Sequence, residues 1–230
     1  MSLNEPKQSP ADFVDGSLDE SAIRNTNPFA LFDKWFRGMA ETDSRFEEKN
    51  CCALGTCNTK GRPSVRWVLL KGYDSEGFRF FTSYDSRKGN DLAENPQACM
   101  TLYWPRFHNR QVRIEGKVEK LPTEDSDEYF YMRPVGSRFS AYISPQSSVI
   151  PSKEQLEQMA TEAQAKFGAQ GPTRPENWGG YLLKPDYLEF WQDAKGQPTI
   201  DRVVFHQRGE SNSSVTKAAK DGWFYEFLAP

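Results

Sequence analysis

The chain is short of the residues that several large protein classes depend on. It has two histidines and four cysteines in 230 residues. Cys51, Cys52, Cys57 and Cys99 form no CxxC pair, and only His108 and His206 could complete a metal set, which argues against a structural zinc site. No apolar run approaches the length needed to cross a bilayer. The first thirty residues lack the basic start and apolar core of a secretory leader. A net charge of −3 withholds the basic excess that a nucleic-acid-binding face normally carries. One basic run, Arg106 to Lys120, lies near Trp104, Phe107 and His108, a mixture that can bind single strands. Within it, however, Gln111, Val112, Arg113, Ile114 and Glu115 alternate polar and apolar, so an amphipathic strand explains it more simply. Cys51 to Cys57 sit in an apolar, strand-like run without secretory context, which points to reduced thiols. These absences lead to the expectation of a cytoplasmic protein with neither a nucleic-acid nor a membrane partner.

What is present suits one sizeable core. Residues 1–27 are polar, acidic and poor in aromatics, and read as a mobile arm ahead of a single domain over 28–230. Pro28 opens a helix whose Phe29, Phe32, Trp35, Phe36 and Met39 follow helical spacing and face a core. Strand signals then dominate: Cys51–Cys57, Pro63–Lys71, Phe78–Thr82, Ala98–Trp104 and Gln111–Lys120, with one short helix before Asn95-Pro96. Helices are predicted over Pro122–Met132 and, from a capping box of Ser152 and Gln155, up to Phe167 before Gly168. Tyr181–Trp191, Asp201–Gln207 and Trp223–Leu228 read as three further strands, and no internal repeat is evident. The pattern is that of an antiparallel barrel or sandwich with flanking helices.

The most informative stretch runs from Ser64 to Gly89, SVRWVLLKGYDSEGFRFFTSYDSRKG. Val65–Lys71 and Phe78–Thr82 read as a hairpin across the turn chemistry of Gly72–Gly77. Ser86 is a candidate N-cap for a helix from Arg87 to about Glu94, whose free N–H groups and dipole favour an anion beside Arg87 and Lys88. Arg66 and Lys71 have odd spacing and point to opposite faces of a regular strand. One site for both needs a bulge or a subunit boundary, and otherwise they serve two different anions. Further on, Tyr129 and Arg133 lie one helical turn apart with Ser137 just beyond Pro134, so a phenol, a guanidinium and a hydroxyl can converge on a phosphate monoester.

RPSVRWVLLKG, GFRFFTSYDSRKG, NRQVRIEGKVEKLP, YFYMRP, QSSVI, WGGY, EFW and the closing LAP stand in the order and near the spacing found in pyridoxine (pyridoxamine) 5′-phosphate oxidases. From about Asn27 to Pro230 the chain resembles that family. The resemblance implies a mainly β (α+β) fold, an FMN-binding split β-barrel with flanking helices, working as a homodimer with each flavin held across the subunit boundary. It implies that Arg66, Trp67, Val68, Leu69, Phe81, Thr82, Arg87 and Lys88 line the FMN site, completed by Gln111, Gln146, Ser147, Trp191 and Arg202. Gln111, Gln146 and Ser147 read alternatively as strand and turn residues, and Trp191 as barrel core. Lys71, Tyr129, Arg133 and Ser137 match the positions that hold the substrate phosphate, so that Arg66 and Lys71 serve different phosphates. The implied reaction turns pyridoxine or pyridoxamine 5′-phosphate into pyridoxal 5′-phosphate, with oxygen as acceptor and hydrogen peroxide as product. No residue identifies itself as a general base.

The chain departs from the family on the substrate side. Where the family has Arg-Leu-His-Asp-Arg after the EFW string, this chain reads Gln197-Pro198-Thr199-Ile200-Asp201-Arg202, so Pro198 and Ile200 replace an Arg and a His that reach the substrate. The usual Gln-Ile-Gly-Ala after Ser137 reads Arg138-Phe139-Ser140-Ala141. Proline and isoleucine side chains offer the pyridine ring no hydrogen bond. Beside a working oxidase, two alternatives therefore stand: a flavin oxidase of the same fold with another substrate, and a non-catalytic relative that binds FMN or pyridoxal phosphate.

Overall fold

The computed structural model describes residues 18, 20–42, 49–105, 109–193, 200–207 and 214–230. Most of the expected arm, residues 1–17 and 19, and the Lys195–Thr199 part of the departing segment lie outside the described residues. In chain order the elements are helices α1 (Glu20–Arg24) and α2 (Pro28–Thr42), then strands β1 (Cys51–Cys57), β2 (Pro63–Leu69), β3 (Gly72–Asp74) and β4 (Gly77–Ser83). Helix α3 (Arg87–Glu94) precedes strands β5 (Gln97–Trp104) and β6 (Arg110–Lys120). Helices α4 (Thr123–Met132), α5 (Val135–Ile143) and α6 (Lys153–Phe167) follow, and strands β7 (Trp178–Gln192), β8 (Asp201–His206), β9 (Lys217–Ala218) and β10 (Phe224–Phe227) close the chain. The strand path has free ends at β2 and β9, so the fold is the expected open, mainly antiparallel split barrel with flanking helices. Among the described residues no helix is long and apolar enough to cross a membrane.

The chain forms two compact units, and β5, β6 and β7 each have one end in either. The first comprises residues 1–51, 101–114 and 186–230. Its core is built on α2, whose Phe32, Trp35 and Met39 are almost fully buried, as their spacing requires. Trp35 meets Phe190 edge-on at 5.2 Å and carries the Arg110 guanidinium 4.5 Å above its ring. β8 pairs antiparallel with β7, Trp191 opposite Arg202, and with β10, Phe227 opposite Val203. The last residues of the expected arm are packed here: α1 lies within them and buries Ile23.

The second unit comprises residues 52–100 and 115–185. Its strand order is β2-β1-β5-β6-β7, with β4 on β7 and β3 on β4. This corrects the expected hairpin. β4 pairs with β3, Asp74 opposite Gly77, and the chain turns at Ser75-Glu76, where the Asp74 carboxylate accepts from the Glu76 N–H at 2.8 Å. β2 instead pairs with β1 and exposes Val65 and Trp67, each 71% accessible, on one side of an edge strand. Two helix starts differ in how they are capped. Ser86 caps α3 as expected, its hydroxyl accepting from the Gly89 N–H, whereas Ser152 stands at the start of α6 with no such bond, so the capping box does not form. Helix α5, which the sequence reading did not separate, begins after Pro134.

Candidate functional site

A cavity of about 730 Å³ opens within the second unit, a size suited to a cofactor or a drug-sized ligand. β2 contributes Arg66, Trp67, Val68 and Leu69, and β4 contributes Phe81 and Thr82. Arg87 and Lys88 stand in the first turn of α3, Tyr129 and Arg133 come from α4 and its C-cap, and Gln146 and Ser147 from the segment after α5. Lys71 is also in the lining. The alternation of Arg66 and Lys71 is resolved without a bulge or a second subunit. β2 ends at Leu69, so Lys71 no longer obeys the strand period, and its N–H bonds to the Arg79 carbonyl at 2.8 Å.

Five cations, Arg66, Lys71, Arg87, Lys88 and Arg133, line this cavity, and among the described residues no Asp or Glu lines it. Arg66 is fixed from behind: its Nη1 donates to the Leu54 carbonyl at 3.0 Å and to Thr56 Oγ1 at 2.7 Å, and Nη2 lies 3.8 Å from Asp91. Lys88 is buried, with its ammonium donating only to neutral oxygens of Thr82 (2.9 Å), Gln146 (2.9 Å) and Ser86 (3.2 Å). Burial, seconded by the charge of Arg66, pushes its pKa down to about 8. Burial likewise lowers the Arg133 guanidinium, and its Nη1 is buried with no hydrogen-bond partner. Ser147 holds φ at 70°, a left-handed conformation costly for a residue with a side chain and concentrated at ligand sites. A cavity wall of this kind, with five cations and, among the described residues, only the Asp91 carboxylate paired to one of them from behind, has the donor chemistry for more than one phosphate.

Four residues expected at the site do not line the cavity. Ser137 is half-buried in the first turn of α5. Gln111, Trp191 and Arg202 belong to the first unit, where Trp191 and Arg202 are cross-strand partners. There Arg202 Nη2 and Arg113 Nη1 donate to the buried Glu189 carboxylate at 3.0 and 3.1 Å, and the Tyr187 hydroxyl donates to it at 2.7 Å. Burial alone would raise the Glu189 pKa, but the hydrogen bonds from Arg202 and Tyr187 and the two positive charges outweigh it and hold the group below its ordinary value. Conversely, the cavity is lined by residues that sequence reasoning did not assign: Ser64, Val65, Ser83, Ser140, Ala141, Ser144 and Trp178. Ser140 lies in α5 and Ser144 is its C-cap residue, and Trp178 opens the WGGY string. That string was visible in the sequence but carried no assigned role.

The family model described as pyridoxamine 5′-phosphate oxidase matches residues 39–167, and that of the pyridoxine 5′-phosphate oxidase C-terminal dimerisation region matches residues 178–230. A pyridoxine/pyridoxamine 5′-phosphate oxidase of Paraburkholderia phymatum is 47% identical over 204 residues, covering 88% of this chain and 92% of the relative. The corresponding protein of Burkholderia mallei is 45% identical over 216 residues, covering 93% and 94%. Among solved structures, PhzG from Burkholderia lata 383, in complex with tetrahydrophenazine-1-carboxylic acid, superposes with a TM-score of 0.80 at 28% identity, covering 94% of this chain and 99% of that one. The chain belongs to the pyridoxamine 5′-phosphate oxidase family.

Proposed function

We propose that the protein is an FMN-dependent oxidase that converts pyridoxine or pyridoxamine 5′-phosphate to pyridoxal 5′-phosphate, with oxygen as acceptor and hydrogen peroxide as product, in the cytoplasm. The observation that carries this reading is the cavity wall with five cations and no carboxylate. Two phosphate monoesters, one on the cofactor and one on the substrate, meet that excess.

Arg66, Arg87 and Lys88 would hold the FMN phosphate. Thr82 and Gln146 fix the Lys88 ammonium, and Ser86 starts α3 so that its first N–H groups add to the positive field. Lys71, Tyr129 and Arg133 would take the substrate phosphate, with the orphaned Nη1 of Arg133 as a donor already desolvated for it. Bound FMN would supply the hydride acceptance from the substrate C4′ carbon and the reoxidation by oxygen. The protein's contribution would be placement: Arg66, Arg87 and Lys88 on one phosphate and Lys71, Tyr129 and Arg133 on the other would orient the reacting ring against the cofactor. Gln111, Trp191, Arg202 and Ser137 are assigned to the same machinery by family resemblance. The match of residues 178–230 to a dimerisation region, and the exposed Val65 and Trp67 on β2, support a homodimer.

A second reading has an observation of its own. The structural likeness to PhzG, together with Pro198 and Ile200 where the family has Arg and His, favours a flavin oxidase for another ring. The Lys71, Tyr129 and Arg133 grip weighs against it, because a ring carrying only a carboxylate would leave that cluster unsatisfied. Anaerobic addition of pyridoxine 5′-phosphate to the purified yellow protein distinguishes the readings. The proposed function predicts that the flavin absorbance bleaches within the turnover time and returns on admitting air. An unbleached spectrum with pyridoxal phosphate bound would make the protein a binder rather than an oxidase, and a colourless protein would remove the cofactor assignment.

A further inference from the structure

Trp178 lies against two members of the substrate-phosphate grip, Tyr129 and Arg133, yet neither family resemblance nor the chemistry above assigns it a role. Its indole lies in the cavity wall, 6.3 Å from the Tyr129 ring with the planes only 9° apart, and the Arg133 guanidinium stands 4.7 Å above it. Phe81 completes a near-parallel set, 3.9 Å from Tyr129 and 5.8 Å from Trp178. Phe130 braces the indole edge-on at 5.3 Å. Among the described residues no carboxylate pairs with Arg133, and the aromatic face of Trp178 orients its charge.

The residues that follow Trp178 explain why the arrangement can form. In the β4–β7 pairing Phe81 stands opposite Gly180 and Ser83 opposite Trp178. A Cβ at position 180 would come within 2.7 Å of the Phe81 ring, and one at position 179 within 2.1 Å of the Tyr84 hydroxyl. The two glycines therefore leave the space into which the Phe81 ring and Tyr84 settle. The backbone of Trp178 is fixed as well: Arg174 Nη1 donates to its carbonyl at 2.7 Å while Arg174 Nε pairs with Asp127 of α4 at 2.6 Å. The same arginine thus links the β7 end to the helix that carries Tyr129.

We propose that Trp178 is a positioning residue for the substrate phosphate: it orients the Arg133 guanidinium and the Tyr129 ring, and so raises affinity for phosphorylated substrates without touching the reacting atoms. The inference rests on the functional reading above for its choice of substrate. Replacement of Trp178 by leucine removes the π face, and replacement by phenylalanine keeps a smaller one. The expected result for W178L is a rise of about fivefold in KM for pyridoxine 5′-phosphate (~1 kcal/mol), with kcat changed by less than twofold. The FMN dissociation constant should rise less than that for pyridoxal 5′-phosphate, the kcat/KM for unphosphorylated pyridoxine should fall less than that for the phosphate ester, and W178F should recover most of the loss. A merely structural role would depress the phosphorylated and unphosphorylated substrates alike, and that outcome overturns the proposal. The dissociation constant for pyridoxal 5′-phosphate supplies a readout independent of turnover. If the wild-type protein oxidises no vitamer, the functional reading fails. The positioning role is then decided by that constant alone: a fivefold rise in W178L supports it, and an unchanged constant refutes it.

Discussion

Arg113 and Arg202 in the first unit share one buried carboxylate, Glu189, whereas Arg66, Lys71, Arg87, Lys88 and Arg133 line a cavity to which no Asp or Glu contributes. The two regions thus neutralise positive charge differently. In the first unit the protein supplies the anion itself, three donors converge on Glu189, and they hold its pKa below the ordinary value. At the cavity wall of the second unit Asp91 stands 3.8 Å behind Arg66, but Lys88 is held by neutral oxygens, and burial, seconded by the charge of Arg66, lowers its pKa to about 8. Charge compensated from within is architecture; charge left for something else to compensate marks where a ligand is expected.

The largest difference should appear on deleting one charge from each region. Lys88→Met removes a cation from the cavity and should raise the FMN dissociation constant about a hundredfold (~2.7 kcal/mol), measured by fluorescence titration. The same change should leave the thermal stability of the flavin-free protein equal or higher, because a buried ammonium without a counter-charge is itself costly. The wild-type affinity should also depend on pH. In the free protein Lys88 titrates near 8, and an anion beside it raises that value. Binding is therefore strongest below pH 8 and weakens as pH rises above it, a slope that Lys88→Met should lack. A constant within fivefold of wild type, or an affinity flat from pH 7 to 9.5, would contradict the assignment.

The matching change in the first unit should act on stability. Glu189→Gln keeps an acceptor but leaves Arg113 and Arg202 without their shared charge. Breaking a buried pair costs ~3–5 kcal/mol, reduced here because the arginine side chains are 38% and 29% exposed. A loss of about 2 kcal/mol is expected, seen as a melting temperature lowered by roughly 4–8 °C. Since the folded pKa of Glu189 lies below its unfolded value, the lost contribution is the one present above the unfolded pKa and forfeited as pH falls through the folded one. The stability difference between wild type and variant should accordingly shrink in acid. An unchanged melting temperature at neutral pH would show that the cluster is not structural.

Much of the site could be read from the chain, and the parts that could not share a cause. The Ser86 cap, the Arg87 and Lys88 pair and the helix bearing Tyr129 and Arg133 are local features, and local chemistry dictates them. The partner of β2 is not local. Turn residues at 72–77 suggested a hairpin with β4, and tertiary pairing gave β2 to β1 and the turn to the short β3. Helix α5 was missed because Gly136 and Ser137 follow Val135 immediately after a proline, a weak helical sequence held by its surroundings. Trp178 and Gly180 stood in plain view as WGGY, yet their meaning depends on Phe81, a residue nearly a hundred positions away. Glu189 carried no role of its own within the EFW string, because Arg113 and Arg202 reach it from two other strands.

The central claim is that the cavity grips two phosphates with separate sets of cations, and Arg133→Ala tests it most directly. Its flavin-to-protein ratio, read from the absorbance spectrum of the purified variant, should equal that of the wild type, while KM for pyridoxine 5′-phosphate rises about twentyfold (~1.8 kcal/mol). A variant that purifies without its flavin, or one that retains wild-type KM, would contradict the division of the cavity into two grips.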